Sequence, residues 1–362
     1  MRIGELIGNR YKIQSFIGKG GMQEVYKAYD TIFERYVVLK EPIAPSAEKR
    51  FFSTAQLSAK IVHPNIALTL DYIPNDKHDY LVEEFIDGTD LEARLHEEFH
   101  YLDPHLTAWV FHSLAKGLAA SHKLNINHRD LKPKNIMVSS DPGIKEIKIT
   151  DFGIAKMAAA VIDDAVEGGE DTMVASSTVI GALAYMAPEI IDQKLAEHRG
   201  LPSDIWSLGA VVYRLMSGVP PFGEGLAAVH QILSQKLPSK ESFVRGNIQF
   251  RALEEELWTI VSKCLAFDVH LRPSAEDLAN ELSMLCYTKQ PRYRGRVYNY
   301  RAFTGSFGFL SRDNDEDVFL HGQNSYVRSV SNGQYHNFAC YPGTPRNRAF
   351  PSVCIKTPLA QS

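Results

Sequence analysis

The spacing of hydrophobic and polar positions changes character twice along this chain. Near the start, short apolar runs alternate with turn residues, a pattern that predicts strands over Tyr11 to Gly18, Tyr26 to Ala28 and Tyr36 to Lys40. Ser46 to Val62 has helical composition and should end before His63-Pro64, because proline biases its predecessor away from the helix. Tyr80-Leu81-Val82 reads as one more strand. Leu106 to Lys123 carries a strong helical pattern, with Val110, Leu114, Leu118 and Ala119 on the apolar side. Ile136-Met137-Val138 and Ile147-Lys148-Ile149 are short strands. Beyond Val297 the pattern returns to five strand-like runs split by Gly, Pro, Asn and Asp, which predicts a small five-stranded β-barrel. The fold class is therefore α+β: a β-rich small lobe, a helical large lobe, then a barrel.

Composition alters this picture little. At 362 residues, 44% hydrophobic and 23% charged, the chain has room for one large and one small globular domain. No apolar run approaches the roughly 18 residues of a membrane span, and Met1-Arg2-Ile3-Gly4-Glu5 has no secretory core. A cytoplasmic protein without a membrane partner is expected. The four cysteines lie far apart, with neither metal-ligand nor disulfide spacing. Charge is more informative. Cys286 to Ser362 holds ten Lys/Arg against four Asp/Glu, leaving 29 against 39 elsewhere. A basic tail on an acidic body suggests two modules, the second facing a polyanion; self-solubilising charge is the other reading.

The chemistry centres on His128-Arg129-Asp130-Leu131-Lys132-Pro133-Lys134-Asn135, followed by Asp151-Phe152-Gly153. This spacing suits phosphoryl transfer: Asp130 to orient an acceptor hydroxyl, Lys132 to neutralise the moving group, Asn135 and Asp151 to hold Mg²⁺. Upstream, Gly18-Lys19-Gly20-Gly21 lets backbone N–H groups approach phosphate, and an apolar strand then ends in Lys40.

On these motifs the chain resembles the bacterial, eukaryotic-like (Hanks-type) serine/threonine protein kinases from residue 11 to about 285. The resemblance implies a bilobal kinase fold over residues 1–285, with a small lobe at 11–86 and a large lobe at 87–285. It implies ATP with Mg²⁺, Mn²⁺ being an alternative, and a protein substrate offering Ser or Thr. Ile17, Gly18, Lys19, Gly20, Gly21, Val25, Val38 and Lys40 would surround the nucleotide, and the backbone of Glu84 and Ile86 would take adenine. Glu189 with Arg272, and the helix carrying Asp204, match the family's structural braces. Ser176, Ser177 and Thr178 stand where activating phosphates are placed, with Arg129 as receptor; ordinary loop hydroxyls are the alternative.

Four positions depart from the family. Gln23 replaces the third glycine and should stiffen the loop or raise it over the phosphates. Thr54 replaces the helix glutamate that pairs with the strand lysine. Glu83, before the hinge, replaces an apolar residue; a carboxylate there needs a partner, and Lys40 is the expected one unless the strand slips by one residue. Ala182 replaces a threonine that bridges catalytic acid and lysine, so Asp130 and Lys132 should be looser. A pseudokinase scaffold is the rival reading.

After a link at 286–293, residues 294–357 resemble cold-shock domains, which are OB-fold barrels. Phe307-Gly308-Phe309-Leu310 and Val318-Phe319-Leu320-His321 carry that resemblance. It implies single-stranded RNA or DNA stacked on Tyr298, Phe307, Phe309, Phe319 and His321, with Arg296, Arg301, Arg312 and Arg328 along the phosphates. A barrel kept for docking or autoregulation is the alternative.

Overall fold

The computed structural model describes residues 2–19, 23–43, 45–75, 78–152, 181–244, 247–302, 306–312, 316–327 and 329–357; 45–50 and 54 are described in their backbone alone. The alternating runs of the first lobe form β1 (Leu6–Ile7), β2 (Tyr11–Lys19), β3 (Gln23–Asp30), β4 (Arg35–Pro42), β5 (Thr69–Ile73) and β6 (Tyr80–Glu84). They make one antiparallel sheet in the order β1-β2-β3-β4-β6-β5. Its core is Tyr11, Ile13, Ala28, Val37, Leu39 and Val82. Helix α1 (Pro45–Ser58) lies against it through a second cluster of Phe51, Ala55 and Leu81. α1 stops short of Val62: the Ser58 hydroxyl donates to the Ala55 carbonyl at 3.2 Å, competition of a kind that weakens a helix end.

The large lobe is built on β7 (Gly88–Asp90), α2 (Leu91–Glu97), α3 (Pro104–His122), β8 (Ile136–Ser139), β9 (Ile147–Ile149), α4 (Pro188–Ile191), α5 (Leu201–Ser217), α6 (Gly225–Leu233), α7 (Lys240–Phe243), α8 (Arg251–Cys264) and α9 (Ala275–Ser283). α3 starts at Pro104 because Asp103 caps it, accepting from the N–H groups of His105 and Leu106 at 3.1 and 3.2 Å. α5 ends at Gly218, which adopts φ +87° where a Cβ would meet the His100 carbonyl at 2.7 Å. α3 and α5 are buried on most of their surface and form the centre of one large core.

Five strands follow: β10 (Arg292–Arg301), β11 (Phe307–Ser311), β12 (Asp317–His321), β13 (Tyr335–Tyr341) and β14 (Arg348–Ile355). They close into a barrel in the order β10-β11-β12-β14-β13, with β12 and β14 parallel and every other pair antiparallel. Val297, Leu310, Val318, Leu320, Phe338 and Ala349 fill it. β10 begins two residues before the barrel start read from sequence, and the preceding stretch is packed: Tyr287 OH lies 2.8 Å from His112 Nδ1, and the Thr288 N–H donates to His105 Nδ1. Tyr326, Val353 and Ile355 of the barrel belong to the large-lobe core. At this seam Arg292 is paired with Asp103, both buried, and the Tyr326 hydroxyl donates to Glu254 at 2.6 Å. Among the described residues no helix is long and apolar enough to cross a membrane.

Candidate active site in the cleft

The floor of the cleft is the loop after α3. The backbone N–H groups of His128 and Arg129 donate to the Asp204 carboxylate at 2.7 and 2.8 Å, so the first turn of α5 anchors the loop. The buried His128 ring reaches the Thr150 carbonyl at 2.7 Å and stacks edge-on with Phe152. Arg129 and Asp151 both take left-handed φ values, +70° and +60°. For side chains without special freedom such conformations cost energy and concentrate at functional positions. Lys132 Nζ donates to Asp130 Oδ2 at 2.7 Å, and the Asn135 amide nitrogen donates to the same oxygen at 3.0 Å and to the Asp130 carbonyl at 2.8 Å. The Asn135 carbonyl accepts from the Thr150 N–H, one residue before Asp151. Ala182 carries no hydroxyl to bridge this pair, and Lys132 closes on Asp130 directly.

Strand register builds the roof. Val38 of β4 faces Glu83 of β6, and Lys40 lies two residues further along the same face. Diagonal neighbours of this kind are within reach of long side chains. Lys40 Nζ sits 2.5 Å from Glu83 Oε2 and 2.8 Å from Asp151 Oδ1. Lys40 is 5% and Glu83 7% exposed, which removes the register in which Glu83 faces solvent. Burial alone would disfavour the Lys40 charge, but Asp151 and Glu83 outweigh it and hold the ammonium above its ordinary range. Burial pushes the Glu83 carboxyl up, with Lys40 pulling the other way. Burial also opposes the Asp151 charge, yet Lys40 and then Gln23 keep that carboxyl below the ordinary range. One ammonium between two carboxylates leaves negative charge over.

Gln23 is expected from the sequence to stiffen the loop or raise it over the phosphates; Gly20 to Met22, the turn of that loop, lie outside the described residues, but the Gln23 side chain itself is placed. It turns inward, is 8% exposed, and its amide donates to Asp151 Oδ1 at 2.8 Å.

Mg²⁺ is ordinarily held by one or two protein carboxylates together with substrate phosphates. The Asp151 carboxylate and the Asn135 carboxamide oxygen, beside surplus negative charge, are a donor set of that kind. At the hinge Glu84 accepts from Lys148 at 2.8 Å and from the Leu68 N–H. The Glu84 backbone N–H is bonded to Leu68 O. Ile86 is buried, Val25, Val38 and Gly18 half-buried, Ile17 exposed; exposed Lys19 pairs with Glu24 at 3.4 Å. Gly20, Gly21, Ser176, Ser177 and Thr178 lie outside the described residues. Arg129 is exposed, its guanidinium bonded to Asn127. Below Lys132 a cavity of about 270 Å³ runs past Lys134, Gly181, Tyr185 and Glu224.

The barrel gathers its candidates on one outer face. Phe307, Phe309 and His321 alternate with buried Gly308, Leu310 and Leu320. Phe307 stacks on Phe319 at 5.8 Å, Phe309 meets Phe319 edge-on, and Tyr298 lies 5.8 Å from Phe309. The His321 ring accepts the Gln323 N–H. Arg296 and Arg301 are exposed, whereas Arg312 lies over Tyr293 at 3.7 Å; Arg328 is outside the described residues. Sequence reasoning missed Arg346, which covers the Phe309 ring at 4.9 Å and pairs with Asp317. No local signal marks it, since β14 meets β12 through a parallel pairing.

Comparison with known proteins agrees with this geometry. A family model described as the protein kinase domain matches residues 11–282. A probable serine/threonine-protein kinase of Streptomyces coelicolor is 33% identical over 79% of this chain and 41% of its own length. The same organism's serine/threonine-protein kinase PkaA is 31% identical over 77% of this chain and 50% of its own length. The serine/threonine-protein kinase PknL of Mycobacterium bovis is 30% identical over 67% of this chain and 58% of its own length. The chain thus spans less than two thirds of these relatives. Among solved structures, a double mutant of the PknI kinase domain of Mycobacterium tuberculosis superposes with a TM-score of 0.57 at 20% identity, covering 78% of this chain and 98% of that one.

Proposed function

This chain belongs to the protein kinase family, and from that premise we propose that it transfers the γ-phosphoryl group of ATP to serine or threonine hydroxyls of a protein. The observation that carries the reading is Asp130 held by both Lys132 and Asn135 beneath Lys40 and Asp151. Asp130 is aimed to orient an acceptor hydroxyl and take its proton. Lys132, already on Asp130, stays beside the oxygen that attacks and meets the charge that develops there. Asn135 and Asp151 would hold the Mg²⁺, which supplies charge neutralisation on the phosphates when bound. Lys40 would bind the nucleotide phosphates, with Glu83 doing from β6 what a helix glutamate does in the family. The cavity below Lys132 is open to an acceptor segment.

Radiolabelled ATP separates this from a scaffold without transfer. Wild type should label a protein acceptor, and Asp130→Ala should lose about 10²–10⁴-fold in rate. Equal label from both proteins ends the reading. Mass spectrometry of the same reaction should find phosphate at Ser176, Ser177 or Thr178, where Arg129 would receive it.

A second reading concerns the barrel, which we take as an OB-fold for single-stranded nucleic acid. The strand order with its one parallel pairing, and the half-buried run of aromatic rings on one outer face, support it. Each stacked base is worth about 1–3 kcal/mol. The double variant Phe307→Ala/Phe309→Ala should therefore weaken oligonucleotide binding at least tenfold in an anisotropy titration, and wild-type affinity should fall with salt. Binding that ignores both leaves the barrel a protein-docking module.

A further inference from the structure

Asp151 carries an unusual load for a residue that is to hold a cation. Its Oδ1 accepts from Gln23 and from Lys40, each at 2.8 Å, while Oδ2 has the Thr150 hydroxyl at 3.3 Å. Gln23 opens β3 in the small lobe, opposite Pro42 of β4. Asp151 lies across the cleft, 128 residues further along the chain. The hydrogen bond therefore runs from one lobe to the other. It runs from a buried amide to a charged acceptor, which makes it strong.

We propose that Gln23 is a positioning residue, a latch that fastens the small lobe to Asp151 and has to be released when Mg²⁺ and nucleotide enter. This rests on the phosphotransfer reading for the identity of what enters. The physical conflict is simple. An oxygen that faces a cation cannot keep two N–H dipoles pointed at it, because their positive ends are repelled. Lys40 can move to nucleotide phosphates and keep its charge satisfied. The Gln23 amide must come off Asp151 as well, turning its carbonyl toward the cation, moving its N–H groups to phosphate or leaving the cleft. A glycine at this position has no side chain and no latch, so the substitution adds a step to loading that its absence would omit. The loss of one hydrogen bond to a charged group corresponds to about tenfold in an equilibrium.

The test compares wild type with Gln23→Met, close in shape but without the amide, and Gln23→Gly. A fluorescent ADP analogue is titrated with Mg²⁺, and amide hydrogen exchange is followed over 23–30 and 147–152 without metal. Both variants should reach half-saturation at about tenfold lower Mg²⁺ and exchange faster in the metal-free protein, the difference vanishing at saturation. Unchanged half-saturation with unchanged exchange overturns the latch. A higher Mg²⁺ requirement in both variants also overturns it, since Gln23 would then be a ligand. Should wild type bind no nucleotide at any Mg²⁺ concentration, the phosphotransfer reading falls, and metal-free exchange alone decides: faster in the variants keeps the latch, equal removes it.

Discussion

The large lobe meets two neighbours, and it joins them by different physics. Across the cleft the small lobe keeps apolar clusters of its own and lends Ile61 and Ile66 to the large-lobe core, while the contact around the catalytic groups is polar. Asn65 and Ala67 exchange backbone hydrogen bonds with Ile149, Glu84 pairs with Lys148, and Lys40 and Gln23 reach Asp151. At the other side the barrel contributes Tyr326, Val353 and Ile355 to the large-lobe core itself. Around them Phe250 packs on Tyr326 and Phe350, Arg294 pairs with Glu98, and a bridge links Phe99 to Ile355. Apolar burial is non-directional and is lost all at once when a seam opens. Hydrogen bonds between charged groups can be exchanged one at a time for those of an incoming ligand. The cleft side is thus built to be rearranged, and the barrel side to stay.

The most damaging way to attack this contrast is at Asp103. It caps α3 and neutralises Arg292, and both are buried. Asp103→Ala leaves the arginine without its ion partner, a change worth about 3–5 kcal/mol. Urea unfolding should show that whole loss, with barrel and large lobe unfolding in one transition in wild type. Two separate transitions in wild type, or a loss below about 1 kcal/mol, would mean that the barrel only leans on the lobe.

The same contrast governs how much was legible beforehand. The floor of the cleft is short-range: Asp130, Lys132 and Asn135 lie within one loop, so their spacing already specifies their contacts. The Lys40–Glu83 contact needs one more step, strand register, and the alternating pattern supplies it. Gln23 marked itself as a departure from glycine, yet the direction of its side chain depends on Asp151, placed by the far lobe. The seam was invisible because its pairs are distant, Arg292 and Asp103 being 189 residues apart. Packing of Tyr326 against Tyr101 and Phe250 has no trace in local periodicity. What was read correctly is what the chain determines within a loop or a strand pair.

The finest probe of the cleft side is Glu83. Glu83→Leu installs the apolar residue that the family uses there, and Lys40 still has Asp151 at 2.8 Å. No buried charge is left alone, so stability should fall by only about 1 kcal/mol, far less than at Asp103. Function should suffer more than stability. With Glu83 gone, Lys40 is held by Asp151 alone, and the two groups that ought to separate onto phosphate and metal are bound to each other. Transfer should drop about tenfold, with the change appearing mainly in the nucleotide requirement, because ground-state placement is what is lost. Adding Thr54→Glu should bring back a carboxylate from α1 and recover most of that loss. The rescue separates a role in charge from a role in packing: Glu83→Leu that is already fully active, or a double variant no better than the single one, removes Glu83 as the lysine's functional partner and leaves the contact a packing feature of β6.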